Sequence, residues 1–300
     1  MIWGFVYLVP EVLPGYPPEL MAAGRFGSFG LVAVPLAWME RREFAHYTVK
    51  DWIDVSKLGV IGNIAYYWCL IECIQNAGVP VAGMAMSAVP VLVAAVSNIR
   101  DKKKGTALAW SRLVPGLTLI VCGFALASMT EFEMVVQASA YGVMMAVAAL
   151  LIWTWYPIRN ADWLLAHPDR SPRAWSTAQG LTTFPFAVVM YFFFWGLEPD
   201  ATPLLGYDPA WFVFVMVFSG LMGSWVGIVF WNAMSQRLPT ALAGQMIVFE
   251  TIFAVTYAHV LRMQWPEWNM LAGMALLLSG VMLSLKVFQT AKAQRRSESV

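Results

Sequence analysis

Hydrophobic residues fill this chain in ten long stretches, and short segments rich in proline, glycine or charged residues separate them. A helix of about 20 apolar residues is long enough to cross the hydrocarbon core of a bilayer. The pattern therefore predicts an all-α integral membrane fold with ten transmembrane helices. Their predicted bounds are 1–13, 19–39, 55–75, 80–98, 112–129, 136–157, 175–196, 211–235, 240–261 and 269–288.

The composition supports a membrane protein and narrows its partners. Of the 300 residues, 59% are hydrophobic and 12% are charged, whereas soluble domains carry roughly 25% charged residues. A net charge of +1 gives the protein no strongly positive surface that would attract nucleic acid. Three cysteines are too few for a disulfide framework. The expected partners are therefore the lipid bilayer and a small-molecule substrate, without nucleic acid.

Lysine and arginine are distributed unevenly between the two sets of loops. Seventeen of the 19 lie in alternate loops or near the C-terminal end, the arrangement that marks the cytoplasmic side of a membrane protein. The exceptions are Arg25 and Arg262. We expect both termini to be cytoplasmic, in a bacterial-type inner membrane. The opposite loops carry acidic residues, namely Glu131, Glu133, Glu198, Asp200, Asp208 and Glu267.

The two halves of the chain are similar to each other. A shift of 161 residues lays 59–83 over 220–244 without a gap, and a shift of 157 aligns the fifth predicted helix with the tenth. Because each copy holds an odd number of helices, the copies must enter the membrane from opposite sides, as inverted repeats of secondary transporters do. The sequence thus predicts repeats over 1–131 and 132–290 and a cytoplasmic tail over 291–300. The matching glycines are Gly59 with Gly220, Gly62 with Gly223, Gly83 with Gly244, Gly116 with Gly273 and Gly123 with Gly280.

Several short motifs follow one another along the chain: Trp3-Gly4-Phe5, Pro17-Pro18, Arg25-Phe26, Pro35, Ala82-Gly83, Pro90, Ala243-Gly244, Phe249-Glu250 and the segment from Gly273 to Gly280. In this order they resemble the ten-helix EamA-type branch of the drug/metabolite transporter superfamily. The resemblance implies a transporter rather than an enzyme, similar to exporters of amino acids and other metabolites. It also implies a central cavity made by helices 1 to 4 and 6 to 9, with helices 5 and 10 at the periphery.

Two positions depart from the family pattern. Thr251 stands where a proline usually follows the glutamate, so we expect the ninth helix to be less kinked than the fourth at Pro90. Glu72 stands where the family commonly has an apolar residue.

Four ionisable residues fall at membrane depth, where a charged side chain is costly and faces protein or water. They are Glu11, Arg25, Glu72 and Glu250. Glu250 lies near the middle of helix 9, at the depth where transporters bind their substrates, and is the first candidate for a substrate-binding residue. Its carboxylate can bind a cationic amine or exchange a proton. The alternative is a glutamate that is hydrogen-bonded within the bundle and fixes helix packing.

Three residues of helix 9 are predicted to lie on the same helical face as Glu250. Met246, Phe253 and Tyr257 are separated from it by four, three and seven residues. They would give the site an apolar or aromatic lining.

Arg25 and Glu72 are further candidates with open alternatives. The forked guanidinium of Arg25 matches a substrate carboxylate. The alternative, which we favour, is a structural bridge from Arg25 to Glu11 or Glu72 at comparable depth. Glu72 itself either lines the cavity or a gate, or is a structural carboxylate at the rim.

Large aromatic residues recur at matching places in helices 3 and 8. Tyr67 and Trp68 precede the position that aligns with Trp231. Such rings can stack on an aromatic substrate or bind an amine through cation–π contacts. The alternative is an interfacial role, because tryptophan and tyrosine also populate the edges of the bilayer.

Three functions remain open at this point. The first is a secondary transporter that exports small amphipathic metabolites, above all amino acids including aromatic ones, by alternating access. The second is efflux of cationic drugs or amines in exchange for protons, because three acidic residues and one basic residue lie at membrane depth. The third is an integral membrane enzyme or a passive channel, although no HExxH, GxSxG, Walker or GxGxxG pattern occurs. We expect no cofactor and no metal ion.

Overall fold

The computed structural model describes residues 2–103, 107–127, 129, 138–197, 203–261 and 263–298, without the side chains of residues 80, 292, 293 and 295–298. Within these ranges the chain is helical and contains no β-strand, which agrees with the predicted all-α fold. Some loop residues used to predict the orientation lie outside the described ranges. They are Lys104, Glu131, Glu133, Glu198, Asp200 and Arg262.

Nine helices in the described part of the chain are long and apolar enough to cross a membrane. The first predicted span is instead a shorter apolar helix, α1 (Ile2–Val12). Beyond the tenth helix the helical conformation continues to Glu298. The nine long helices are α2 (Pro18–Met39), α3 (Val49–Val79), α4 (Val81–Lys103), α5 (Trp110–Ala127), α6 (Ala140–Ala166), α7 (Pro172–Leu197), α8 (Pro209–Ser235), α9 (Thr240–Leu261) and α10 (Trp268–Ala291).

Helix α1 is wound differently from the others and lies close to α9. Ile2–Leu8 is a 3₁₀ helix, and Val9–Val12 adds one turn of α-helix. Gly4 allows the close approach, because a Cβ atom at this position would lie 2.8 Å from the backbone nitrogen of Ala254. Glycine at this position therefore sets the distance between α1 and α9.

Helices α3 and α8 each contain a π-helical segment. The two segments are Leu58–Ala65 and Ser219–Val226. Their corresponding ends are 161 residues apart, the same shift that aligns the two halves of the sequence. Turns of π-helix are rare in proteins, and those that occur are often at functional sites. Their presence at matched positions makes α3 and α8 candidates for the functional site.

Helices α4 and α9 are both interrupted. Helix α3 passes into α4 through Gly78, whose φ of 88° favours glycine. Helix α4 then breaks at Ala88, just before Pro90, and α9 breaks at Met246 and Ile247. Helix α9 is therefore broken, although it has Thr251 at the position that corresponds to Pro90 of α4. The two parts of α9 are Thr240–Gln245 and Val248–Leu261.

Among the contacts between the two halves in the described structure, three join corresponding helices: α2 packs on α7, α4 on α9 and α5 on α10. The α5–α10 contact is reciprocal, because a Cβ atom at Gly116, Gly123, Gly273 or Gly280 would lie 2.6 to 3.0 Å from the carbonyl oxygen of the facing glycine. Gly116 faces Gly280 and Gly123 faces Gly273, so an exchange of the two halves maps this interface onto itself.

One end of the bundle, here called the basic end, holds the loops that carry the arginines. Arg170 donates a hydrogen bond to the carbonyl of His46, which joins the α6–α7 and α2–α3 connections. Gln236 donates to the carbonyl of Arg170, which adds the α8–α9 connection. The opposite end, here called the far end, holds Gly78 and the last turns of α5 and α9.

The α5–α10 interface gives the first testable prediction. Gly123→Ala should lower the stability of the purified protein by roughly 1–3 kcal/mol, because the new methyl group meets the backbone of α10 and forces the helices apart. Gly27→Ala is the matched control, since no atom lies within 4 Å of a Cβ at Gly27. Thermal unfolding in detergent measures both. Equal stability of the two variants would contradict the close backbone contact.

Candidate functional site

Arg25 is a buried arginine on α2, with 7% of its surface exposed. Its Nε donates a hydrogen bond to Ser224 Oγ at 3.1 Å, and its guanidinium lies 4.3 Å from the centre of the Tyr67 ring. A cation above an aromatic ring is attracted by the negative face of the ring. Ser224 lies in the π-helical segment of α8, and Tyr67 follows that of α3. The two π-helical regions therefore supply both contacts.

The predicted bridge from Arg25 to Glu11 or Glu72 is wrong. Among the described residues, no ion pair includes Arg25. Glu72 instead accepts hydrogen bonds from Trp68 Nε1 at 3.2 Å and Asn76 Nδ2 at 3.0 Å. The reason is helical geometry, because Glu72 is about 140° around the helix from the residue of α3 that contacts Arg25.

Glu250 lies in the first turn of the second part of α9 and is 7% exposed. Its carboxyl group lies near the side chains of Tyr7 on α1 and Arg25 on α2. Its Oε2 atom has no hydrogen-bond partner among the described residues. A carboxylate in the first turn of a helix is stabilised by the positive end of the helix dipole. The break in α9 therefore creates a favourable place for a buried acid.

Five residues form what we call the central cluster, at the meeting point of α1, α2, α3, α8 and α9. Arg25 and the carboxyl group of Glu250 lie near each other, yet no ion pair within 4.0 Å joins them in the described structure. The cluster thus keeps a guanidinium group and a carboxyl group near each other without a direct ion pair. Its members are Tyr7, Arg25, Tyr67, Ser224 and Glu250.

Two members of the central cluster, Tyr7 and Ser224, were missed by the sequence analysis. Ser224 did carry a signal, because it aligns with Asn63, and both are polar residues buried inside apolar helices. Tyr7 carried none, since its contact with Glu250 joins opposite ends of the chain.

The structure places the three residues predicted to lie beside Glu250 on α9 in different surroundings. Phe253 lies against Gly4, and the ring of Tyr257 stacks on Phe5 with centroids 4.0 Å apart. Both residues therefore share the α1-facing side of α9 with Glu250 but are covered by α1. Met246 does not share this side, because it lies in the helix break and packs on the apolar cluster between α5 and α10. The prediction assumed a continuous helix.

The remaining predicted site residues lie at two different places. Trp231 is buried on α8, 5.3 Å from the ring of Trp3 on α1, and Trp3 donates a hydrogen bond to the carbonyl of Gly223 at 2.7 Å. Trp68 belongs with Glu72, as described above. In the part of the chain that the structure covers, no group of three His, Cys, Asp or Glu residues is placed to hold a metal ion.

A cavity of about 370 Å³ lies beside the central cluster, between α1, α5, α9, α10 and the start of α4. Tyr7 and Thr251 line it, so the cavity reaches the immediate neighbours of Glu250. The wall is mainly apolar, with Glu11 and His259 as its ionisable groups. Most lining residues lie near the far end of their helices. Helices α5 and α10, expected at the periphery, thus contribute to the wall; their lining residues include Ala127, Met270 and Met274.

Towards the basic end, a buried polar network joins α6, α7 and α8. Asn160 Oδ1 accepts hydrogen bonds from Trp175 Nε1 at 2.9 Å and Gln179 Nε2 at 3.2 Å. Asn160 Nδ2 donates to Asn232 Oδ1 at 2.8 Å, and Asn232 Nδ2 donates to Ser176 Oγ at 2.8 Å. All five residues have no exposed surface. Because the amide groups are satisfied by one another, the network stabilises this arrangement of the three helices.

Further contacts tie the network to the first half of the chain. Trp163 stacks on Trp175 with centroids 3.5 Å apart and donates a hydrogen bond to Asp51 on α3 at 2.7 Å. Arg173 and Glu40 form an ion pair at 2.7 Å. These contacts hold the two halves together at this end, whereas the cavity described above lies at the other end.

In the described part of the chain, nine long apolar helices enclose a buried arginine and a buried glutamate, which defines a multi-pass membrane protein. Comparison with known proteins agrees: residues 1–129 match the EamA-like transporter family. The chain is 35% identical over 297 residues to the inner membrane protein YtfF of Escherichia coli (strain K12), covering 95% of this chain and 92% of that protein. A solved crystal structure with 16% identity has the same fold, with a TM-score of 0.70 over 94% of this chain and 92% of that one. The chain belongs to the EamA-like transporter family of the drug/metabolite transporter superfamily.

The polar network gives a second prediction. Asn160→Ala should lower the stability by roughly 2–4 kcal/mol, because it leaves several buried donors and acceptors without partners. Thr256→Ala is the control, since Thr256 is exposed and its hydroxyl bonds only to its own helix. Thermal unfolding of the two purified variants compares them. A melting temperature of Asn160→Ala equal to that of the control would show that the network does not hold this end together.

Proposed function

We propose that this protein is a secondary transporter that exports small amphipathic metabolites, above all amino acids, across the inner membrane. In this proposal, residues 1–131 and 132–290 are inverted five-helix repeats, and both termini are cytoplasmic. The matched π-helical segments and the reciprocal α5–α10 contact support a two-fold relation between the halves. Repeats of this kind transport by rocking about a site near the bilayer midplane, and the central cluster is that site.

The choice of amino acids as the substrate class rests on the positions of Arg25 and Glu250, which lie near each other in the central cluster without a direct ion pair. A free amino acid has a carboxylate and an ammonium group on one carbon atom. The fork of Arg25 suits the carboxylate, and Glu250 offers the ammonium group an oxygen that no described residue occupies. The rings of Tyr7 and Tyr67 in the same cluster suit an apolar or aromatic side chain.

A cationic amine or drug is the second candidate substrate. Glu11 in the cavity wall favours it, because a carboxylate attracts cations into the cavity. Such a molecule would bind Glu250 and leave Arg25 without a contact. Export of the cation would then be coupled to a proton that Glu250 carries in the other direction.

A third prediction distinguishes these substrates. Arg25→Lys keeps the positive charge but loses the fork, so we expect binding of an aromatic amino acid to weaken by about tenfold or more. Binding of the amine that lacks only the carboxylate should not change. Calorimetry on the purified protein compares the two ligands. Equal weakening of both would contradict a carboxylate contact, and tight binding of the amine alone would favour the second candidate.

A fourth prediction concerns proton coupling through Glu250. Glu250→Gln should reduce transport by about tenfold or more and remove its dependence on pH between about 5 and 8, because an amide exchanges no proton in this range. Proteoliposome transport measures both quantities. Glu72→Gln is the control, since this carboxylate is equally buried but is bonded to Trp68 and Asn76. A Glu250→Gln protein that transports like the parent at every pH would exclude this role.

A further inference from the structure

The far-end cavity has a counterpart in the other half of the chain. The shift of 161 residues relates α4 to α9, and the shift of 157 relates α5 to α10. Both shifts can be applied to the residues that line the cavity, and three apolar lining residues then correspond to polar residues. The three pairs are Met84 with Gln245, Ala258 with Ser97, and Ala127 with Ser284.

The counterpart region is closed. Three other cavity residues, Val255, Met270 and Met274, do not belong to the buried apolar cluster between α4, α5, α9 and α10, but their counterparts do. One side of the molecule is therefore open where its sequence-related side is packed. These counterparts are Ala94, Leu113 and Leu117.

The same three polar residues are buried in this region without partners. Gln245 has no exposed surface, and neither its amide nitrogen nor its amide oxygen has a hydrogen-bond partner among the described residues. The hydroxyls of Ser97 and Ser284, on residues 4% and 1% exposed, also have none there. Polar groups are rarely left unpaired in a packed interior, because losing hydration without a new bond is unfavourable.

Glu250 lies between the cavity and the closed region. Thr251, the next residue, lines the cavity, whereas Val248, two residues earlier, belongs to the apolar cluster. A solute bound at the central cluster is therefore next to both.

We propose that Gln245, Ser97 and Ser284 line a second vestibule, closed in this structure, which opens at the basic end when the far-end cavity closes. This inference rests on the alternating access proposed above. In the open form, the amide and the two hydroxyls are hydrated and offer hydrogen bonds to a small zwitterionic or polar solute on its way to or from Glu250. Their lack of partners raises the energy of the closed form and so favours opening.

Cysteine labelling in membrane vesicles of both orientations tests the second vestibule. Cys69, Cys73 and Cys122 are first replaced by alanine, and Ser97→Cys or Ser284→Cys is then introduced into the full-length protein. A small membrane-impermeant maleimide should label both positions from the basic-end side. Ala258→Cys should react from the opposite side. Ser219→Cys is the matched control and should stay unlabelled, because Ser219 is 5% exposed but bonds to its own helix.

Two substitutions then test whether the vestibules alternate. Ala258→Trp, which holds the far-end cavity open, should slow labelling of Ser97→Cys by about tenfold or more. Gln245→Met should slow it by about tenfold, because the closed form no longer contains an unpaired amide.

The outcomes separate this inference from the proposed function. If the protein transports but Ser97→Cys and Ser284→Cys remain unlabelled, the second vestibule is wrong and the transport proposal stands. Labelling that Ala258→Trp leaves unchanged also overturns the vestibule, since the two openings would not alternate. If labelling is reciprocal but no amino acid or amine is transported, the vestibule stands and the proposed substrates are wrong.

Discussion

A buried arginine must be stabilised by protein groups when the surrounding solvent is hydrocarbon, and Arg25 imposes this constraint on the helices around it. Arg25 contacts the hydroxyl of Ser224, which lies within the π-helical segment of α8, and the ring of Tyr67, which follows the π-helical segment of α3. Glu250 is available because α9 breaks and begins a new helix there. The irregular parts of α3, α8 and α9 therefore all lie around the guanidinium of Arg25.

The second organising feature is that the chain holds two related halves in unequal states. Corresponding helices meet in pairs, and the glycine contact between α5 and α10 is the same from either side. Yet the cavity lies near one end of the helices, whereas the sequence-related region towards the other end is a packed apolar cluster; both halves contribute to each. Two related packings of this kind can differ by only a few kcal/mol. In our proposal this small difference lets the two ends exchange roles around the central cluster.

Much of this architecture follows from the sequence because hydrocarbon thickness sets the length of a spanning helix. Nine apolar stretches are long helices, and Arg25 and Glu250 are buried as their setting predicts. The first stretch is shorter, since the turn around Pro14 and Gly15 ends it early. The glycine alignment could also be read directly, because close backbone contact requires glycine at both members of a pair.

Other parts of the site could not be predicted, for physical reasons. Met246 was placed beside Glu250 by assuming a continuous helix, and no proline stands at the break. The partners of Arg25 depend on which helices meet, so charge pairing by depth alone chose the wrong carboxylates. The network of Asn160 and Asn232 joins residues 72 positions apart. Such long-range contacts leave no local pattern in one sequence.

Distance measurement between spin labels tests the exchange of the two ends most directly. One pair, at Met129 and Gln264, spans the far end, and its sequence counterpart, at Lys286 and Lys103, spans the basic end. Double electron–electron resonance on both pairs should show two distances each. A transported substrate or a change of pH should shift the two pairs in opposite directions. One unchanging distance in both pairs, or shifts in the same direction, would contradict alternating access by related halves.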